Sequence, residues 1–180
     1  SIDTSVWDDP DNPDYGEIIV HGPNVMQGYW NNPEATAEVM TADGGFRTGD
    51  LGTLSEDGYL SITGRVKSQF KLENGKYVSP APLEENLKLS PLIEQCILDG
   101  RNRKNTYVIA HPSKRALMDA IKAVGLHISG EWEEICSDPA VSSWLLDELR
   151  ENHIKEPTWK GFETPSALIL DPEEWNTDNN

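Results

Sequence analysis

Two Asp-Gly pairs, Asp43-Gly44 and Asp57-Gly58, most tightly limit how this chain folds. Asp-Gly is a strong short hairpin signal, because glycine reaches the positive-φ conformations that a tight turn needs. The segments "ADGGF" and "EDGYL" are therefore expected to be turns, and the sequence around them strand and turn from Tyr15 to about Gly64. Within that stretch "GEIIVHG" is a β-branched run closed by Gly22, and "YLSITG" is a second strand. Between them "NNPEATAEVM" places a proline early in a short helix expected over 33–40. The leading "SIDTSVWDDPDNPDYG" is rich in Pro, Asp and Asn and is expected to be loop. Another hairpin is expected from "SQFKL", the turn "ENG" and "KYVS".

From Pro80 onward the periodicity changes. Pro80 starts a helix with Leu83 and Leu87 on one face. "IEQCILDG" and "TYVIAHP" read as buried strands. Ser113 can cap a helix whose apolar face is Leu117, Ile121 and Val124. "EWEEIC" is a short helix, and Asp138-Pro139 caps another with the stripe Val141, Trp144, Leu145 and Leu149. "PSALILD" is a last strand. The fold class expected is α+β: a β-rich portion followed by a small α+β domain.

Charge removes several functions. The chain has 15 Lys and Arg against 31 Asp and Glu, a net charge of −16. A nucleic-acid partner, which needs clustered cations over phosphates, is not expected. No apolar run approaches the roughly 18 residues of a membrane span. Cys96 and Cys136 stand apart with no CxxC, which fits buried thiols of a reduced, cytoplasmic protein. His21, His111, His127 and His153 have no ligand spacing, so no metal site is expected.

The candidate chemistry lies between the two halves. Asp50 stands between Gly49 and Leu51, with Gly52 close by. Glycines let a ligand approach the backbone, and a carboxylate there can accept two hydrogen bonds from a vicinal diol such as a ribose. An ordinary turn aspartate explains the same spacing. Arg65, after Gly64, can meet a phosphate or sugar oxygen, or form a surface ion pair. Asp57 is fully explained by its hairpin. The chain has no GxxxxGK[ST] phosphate loop, no GxGxxG turn and no ordered nucleophile–base set.

Four blocks, "GEIIVHGPNVMQGYWNNPEAT", "DGGFRTGDLG", "DGYLSITGR" and "KLENGKYVSPAPLEE", closely resemble the adenylate-forming (AMP-binding) superfamily, and within it the long-chain fatty acyl-CoA synthetases. The resemblance implies that Asp50 binds the ribose hydroxyls of ATP and acyl-AMP and that Arg65 contacts the nucleotide. It implies a hinge at Lys67, a boundary near 65–68, and a loop starting at Lys71 that swings toward the acyl-adenylate. Gly75 would lie in that loop, where the backbone passes the pantetheine arm of CoA. Residues 1–66 would end the large AMP-binding domain, and 67–180 would be the small mobile domain. The implied substrates are ATP, a long-chain fatty acid and CoA, with Mg2+ ligands outside these residues and peripheral membrane association open.

The departures are Gly45, where the family usually has Trp, and the missing "TPxxKxK"-like block that carries the adenylation lysine, since Lys155 and Lys160 precede "TPSALIL". The chain is therefore expected to be a C-terminal fragment of such an enzyme, with a non-catalytic binding remnant as the other reading. By itself it is expected to form no acyl-CoA from fatty acid, ATP and CoA. A thiol-consumption assay on the 180 residues checks this, and detectable product contradicts it.

Overall fold

The computed structural model describes residues 2–6, 15–155 and 158–177. They divide into two compact units, 1–69 and 70–180. The first is an antiparallel sheet of four strands in sequence order: β1 (Ile2–Val6), β2 (Tyr15–Val20), β3 (Phe46–Leu54) and β4 (Leu60–Arg65). Helix α1 (Pro33–Val39) lies between β2 and β3 in the chain, capped by the Asn32 side chain on the Ala35 N–H at 3.0 Å. The expected loop at the start is overturned over 2–6. Those five residues pair antiparallel with β2, from Ile2 opposite Val20 to Val6 opposite Gly16. A paired sheet edge overrides a weak local propensity. The Pro/Asp/Asn-rich 7–14 lies outside the described residues.

Of the two Asp-Gly turns, only Asp57-Gly58 joins two strands, with the Ser55 N–H on Tyr59 O at 2.9 Å and the Gly58 N–H on Ser55 O at 2.9 Å. Asp43-Gly44 instead turns the chain from the end of α1 into β3, through a single bridge between Met40 and Phe46. Gly52 sits tightly packed between β4 and the Ile18 side chain of β2. A Cβ there would lie 2.8 Å from Ser61 O and 3.0 Å from Ile18 Cδ1.

The second unit opens with a short hairpin, β5 (Phe70–Lys71) and β6 (Tyr77–Val78), and continues through α2 (Pro80–Leu87). A three-stranded sheet follows in the order β7 (Ile93–Asp99), β8 (Tyr107–Pro112), β9 (Ala167–Leu170), with β8 and β9 parallel. Helices α3 (Lys114–Ala123), α4 (Trp132–Ser137) and α5 (Pro139–Asn152) form the crossover between those parallel strands. This is the α+β domain expected. One core joins Phe70, Val78, Leu87, Val108, Leu117 and Leu149. Trp159 is buried in it, with its indole N–H on Asn86 Oδ1 at 2.8 Å. Burial of this kind contributes about 25 cal/mol per Å2 of apolar surface.

Details of the helices differ from the sequence reading. Ser113 is the N-cap of α3 but makes no side-chain cap bond. Val124 ends that helix and is exposed, because the chain leaves the helix there rather than continuing the stripe. On α5 Trp144 is half-buried, and Leu146, outside the expected stripe, is buried. "SQFKL" yields only a two-residue strand, because Val66–Ser68 forms a 3-10 turn. Cys96 and Cys136 are free and buried, and burial pushes their thiols up to about 12 and about 11.

After β9 the chain is tied back onto the sheet. The Trp175 N–H donates to Gln95 Oε1 at 2.7 Å, and Gln95 Nε2 donates to Trp175 O at 2.9 Å. The Trp175 indole N–H, at 2.8 Å, and then the Glu173 backbone N–H, at 3.0 Å, hold the Asp171 carboxyl below its ordinary value.

Two outcomes follow from this packing. Gly52→Ala drives a methyl into a backbone carbonyl that cannot move without opening the β3–β4 ladder. It should destabilise the first unit by about 1–3 kcal/mol, read from urea unfolding followed at the 16–65 amides. At Asp171 a depressed carboxylate contributes stability above its unfolded pKa, about 4, and loses it as pH falls through the folded value. The Trp175 indole proton resonance should therefore titrate below about pH 4, and Asp171→Asn should abolish that titration.

Candidate nucleotide-binding turn and the hairpin that follows it

The pairing of β2 with β3 breaks at one place. Glu17 faces Leu51 and Ile19 faces Arg47, so Thr48-Gly49-Asp50 together stand opposite Ile18 alone. The surplus residues bulge out of the ladder, and Gly49 takes φ +74 to allow it. A second register shift lies on the other side of β3, between Leu51 and Gly52 where they face β4. Asp50 is thus flanked by irregularities on both edges. Bulges of this kind re-aim a side chain.

Two residues of β2 fix the bulge. The Glu17 side chain is buried in the otherwise apolar strand. Its Oε2 is 2.5 Å from Arg47 Nη2, and its Oε1 accepts the Gly49 N–H at 3.2 Å. Ile18 supplies its carbonyl to the Thr48 hydroxyl at 2.9 Å, and Thr48 Oγ1 in turn accepts the Asp50 N–H at 3.0 Å. Sequence reasoning missed Glu17, Arg47 and Thr48. The available signal was an acidic residue inside "GEIIV", which a buried strand tolerates only when paired.

Asp50 and Arg65 are brought together. They face each other across β3 and β4, with Arg65 Nε 3.0 Å from Asp50 Oδ1. The Arg65 side chain is 71% exposed and that of Asp50 is 26% exposed. An exposed pair of this kind contributes little stability, so the pair alone does not explain the bulge beneath it. The part-exposed Asp50 carboxylate is within reach of an outside donor. In the β4 bulge the Thr63 hydroxyl is buried without a partner among the described residues.

Gly45 lies in a closed corner: a Cβ there would come within 2.6 Å of His21 Nε2 and 2.7 Å of Thr41 Oγ1. His21 Nε2 is 3.0 Å from Asp43 Oδ2. The Thr41 hydroxyl, and then His21, hold the Asp43 carboxyl below its usual value. Side chains from the turn and from β2 and its end thus fill the space at that position.

The remaining expected residues follow in the chain. Lys67 is exposed in the 3-10 turn Val66–Ser68, and the two units divide just beyond it, after Gln69. Lys71 and Gly75 share the β5–β6 hairpin. Lys71 is exposed and faces Tyr77 across the two strands, its ammonium 5.4 Å from the ring centroid. Gly75 closes the turn with φ +86, its N–H on Leu72 O at 3.0 Å. The hairpin is tied to the β7–β8 loop by the Asn102 N–H on Lys71 O and the Glu73 N–H on Arg103 O, both at 2.9 Å. Among the described residues no group of three or more His, Cys, Asp or Glu could hold a metal ion. None of the described helices is long and apolar enough to cross a membrane.

Residues 67–129 match the family model for the AMP-binding enzyme C-terminal domain. The chain is 32% identical over 165 residues to long-chain-fatty-acid–CoA ligase 5 of Rattus norvegicus, covering 91% of this chain and 24% of that one. It is 51% identical over 87 residues to the long-chain-fatty-acid–CoA ligase FadD15 of Mycobacterium tuberculosis, covering 48% of this chain and 14% of that one. Among solved structures it is similar to the A domain of carboxylic acid reductase from Segniliparus rugosus, determined with AMP and a co-purified carboxylic acid. The TM-score is 0.73 at 26% identity, over 99% of this chain and 27% of the other. The chain thus spans about a quarter of the length of such relatives. With four sequence blocks in order, the small α+β domain and the bulged "TGD" turn in place, the chain is similar over nearly all its length to enzymes of the adenylate-forming (AMP-binding) superfamily, and its residues 67–129 match their C-terminal domain.

Proposed function

We propose that this chain serves as the C-terminal part of an ATP-dependent long-chain fatty acid–CoA ligase. The reaction joins a fatty acid to CoA in two steps. The carboxylate first attacks the α-phosphorus of ATP, releasing diphosphate and leaving acyl-AMP. The CoA thiol then attacks the activated carbonyl, releasing AMP. The reading rests on one observation above the others: Asp50 stands on the bulge of β3, with a second bulge in β4 beside it, opposite Arg65 and with its side chain 26% exposed.

Each residue then has a physical task. Asp50 accepts hydrogen bonds from the ribose hydroxyls and orients the adenylate, which converts binding into position. The Arg65 guanidinium neutralises Asp50 before the nucleotide arrives and turns toward nucleotide oxygens once it binds. Lys67, in the short turn between the units, absorbs backbone rotation between the two half-reactions. Lys71 brings a positive charge to the acyl-adenylate on a hairpin whose Gly75 lets the pantetheine arm pass.

In the whole ligase Asp50→Ala should lower kcat/KM for ATP by about a hundredfold, since two charge-assisted hydrogen bonds are lost. The KM for fatty acid should stay within about twofold, because the substitution leaves the acyl site untouched. Rates of acyl-CoA formation at varied ATP and varied fatty acid measure both. An unchanged ATP dependence would remove Asp50 from the nucleotide site.

A further inference from the structure

We propose that Glu17 is the positioning residue of the diol site, acting through Arg47 and Gly49 to aim Asp50. The inference rests on the ribose role given to Asp50 above and adds what holds that carboxylate in place. The bulge stacks Thr48, Gly49 and Asp50 against one residue of β2, so the ladder itself cannot fix their direction. The contacts that do so come from side chains. The Glu17 carboxylate holds both ends of the Arg47–Gly49 segment: Oε2 on the Arg47 guanidinium at 2.5 Å and Oε1 on the Gly49 N–H at 3.2 Å.

The Glu17 side chain is 7% exposed, whereas that of its partner Arg47 is 46% exposed. Burying a carboxylate in a strand is costly, and an apolar residue beside Ile18 and Ile19 would pack more cheaply. What the carboxylate supplies in return is a fixed path for backbone that otherwise has glycine freedom at φ +74. The Thr48 hydroxyl completes the clamp, accepting the Asp50 N–H while donating to Ile18 O. Asp50 is therefore held from behind by two adjacent residues of β2 and meets Arg65 on its open side.

The test uses the 180-residue chain labelled with 15N and titrated with AMP and with 2′,3′-dideoxy-AMP, which lacks the diol. In the parent chain the Gly49 and Asp50 amides should shift with AMP and much less with the dideoxy form. Glu17→Gln keeps an acceptor for the Gly49 N–H but removes the charge facing Arg47. It should weaken AMP binding about tenfold and leave dideoxy-AMP binding unchanged, so the preference for the diol collapses. A merely structural role would lower both ligands together, and the ratio between them separates the two. Should Glu17→Gln leave the fold intact and the AMP preference undiminished, the positioning role is overturned while the ribose reading stands. Absence of any diol preference in the parent chain overturns both. Should Glu17→Gln lose the dispersed amides of 16–65, Arg47→Gln replaces it and removes the same ion pair from the exposed side. Loss of the diol preference there supports the inference, and its retention overturns it.

Discussion

Three residues facing one across β2 and β3 is the constraint around which the first unit is arranged. A regular ladder would place Asp50 at a register position determined by the pleat alone. The bulge frees it from that register, and the freed backbone then needs partners of its own. Glu17, Thr48 and the Ile18 carbonyl provide them. The sheet supplies rigidity up to the bulge, and the side chains supply direction within it. Gly52, two residues further on, lets β4 approach so closely that Arg65 comes opposite Asp50.

The second unit solves a different problem. Its core is large and joins every element from β5 to β9, so its hairpin can carry exposed side chains without endangering the fold. Lys71 and Gly75 sit on that hairpin, supported by Phe70 and Val78 beneath and by backbone bonds to the β7–β8 loop. Between the units the chain needs only the short turn Val66–Ser68. Lys67 is exposed in that turn.

Much of this was legible in the residues. Asp57-Gly58 gave its hairpin, Pro80 its helix and Leu83 with Leu87 its buried face, because each rests on interactions a few residues long. Asp43-Gly44 was legible only as a turn. Whether it joins two strands depends on which segment lies across from Phe46, and that is a distant decision. Ile2–Val6 was hidden for the same reason: a strand at the sheet edge is made by its partner, β2, more than by its own composition. Val124 and Leu146 were misplaced because helical periodicity does not say where a helix ends or how wide a face its neighbours cover.

By itself the sequence determined the α+β class and the candidates Asp50, Arg65, Lys67, Lys71 and Gly75, since turn chemistry and the four family blocks are local patterns. Only the tertiary structure decided that Asp50 and Arg65 face each other, that Lys71 and Gly75 share one hairpin, and that Glu17 holds the "TGD" turn from behind. Those facts depend on strand register. Glu17 lies 30 residues before Arg47 and 32 before Gly49. No local rule couples residues so far apart, and a slip of one position would turn every side chain to the opposite face.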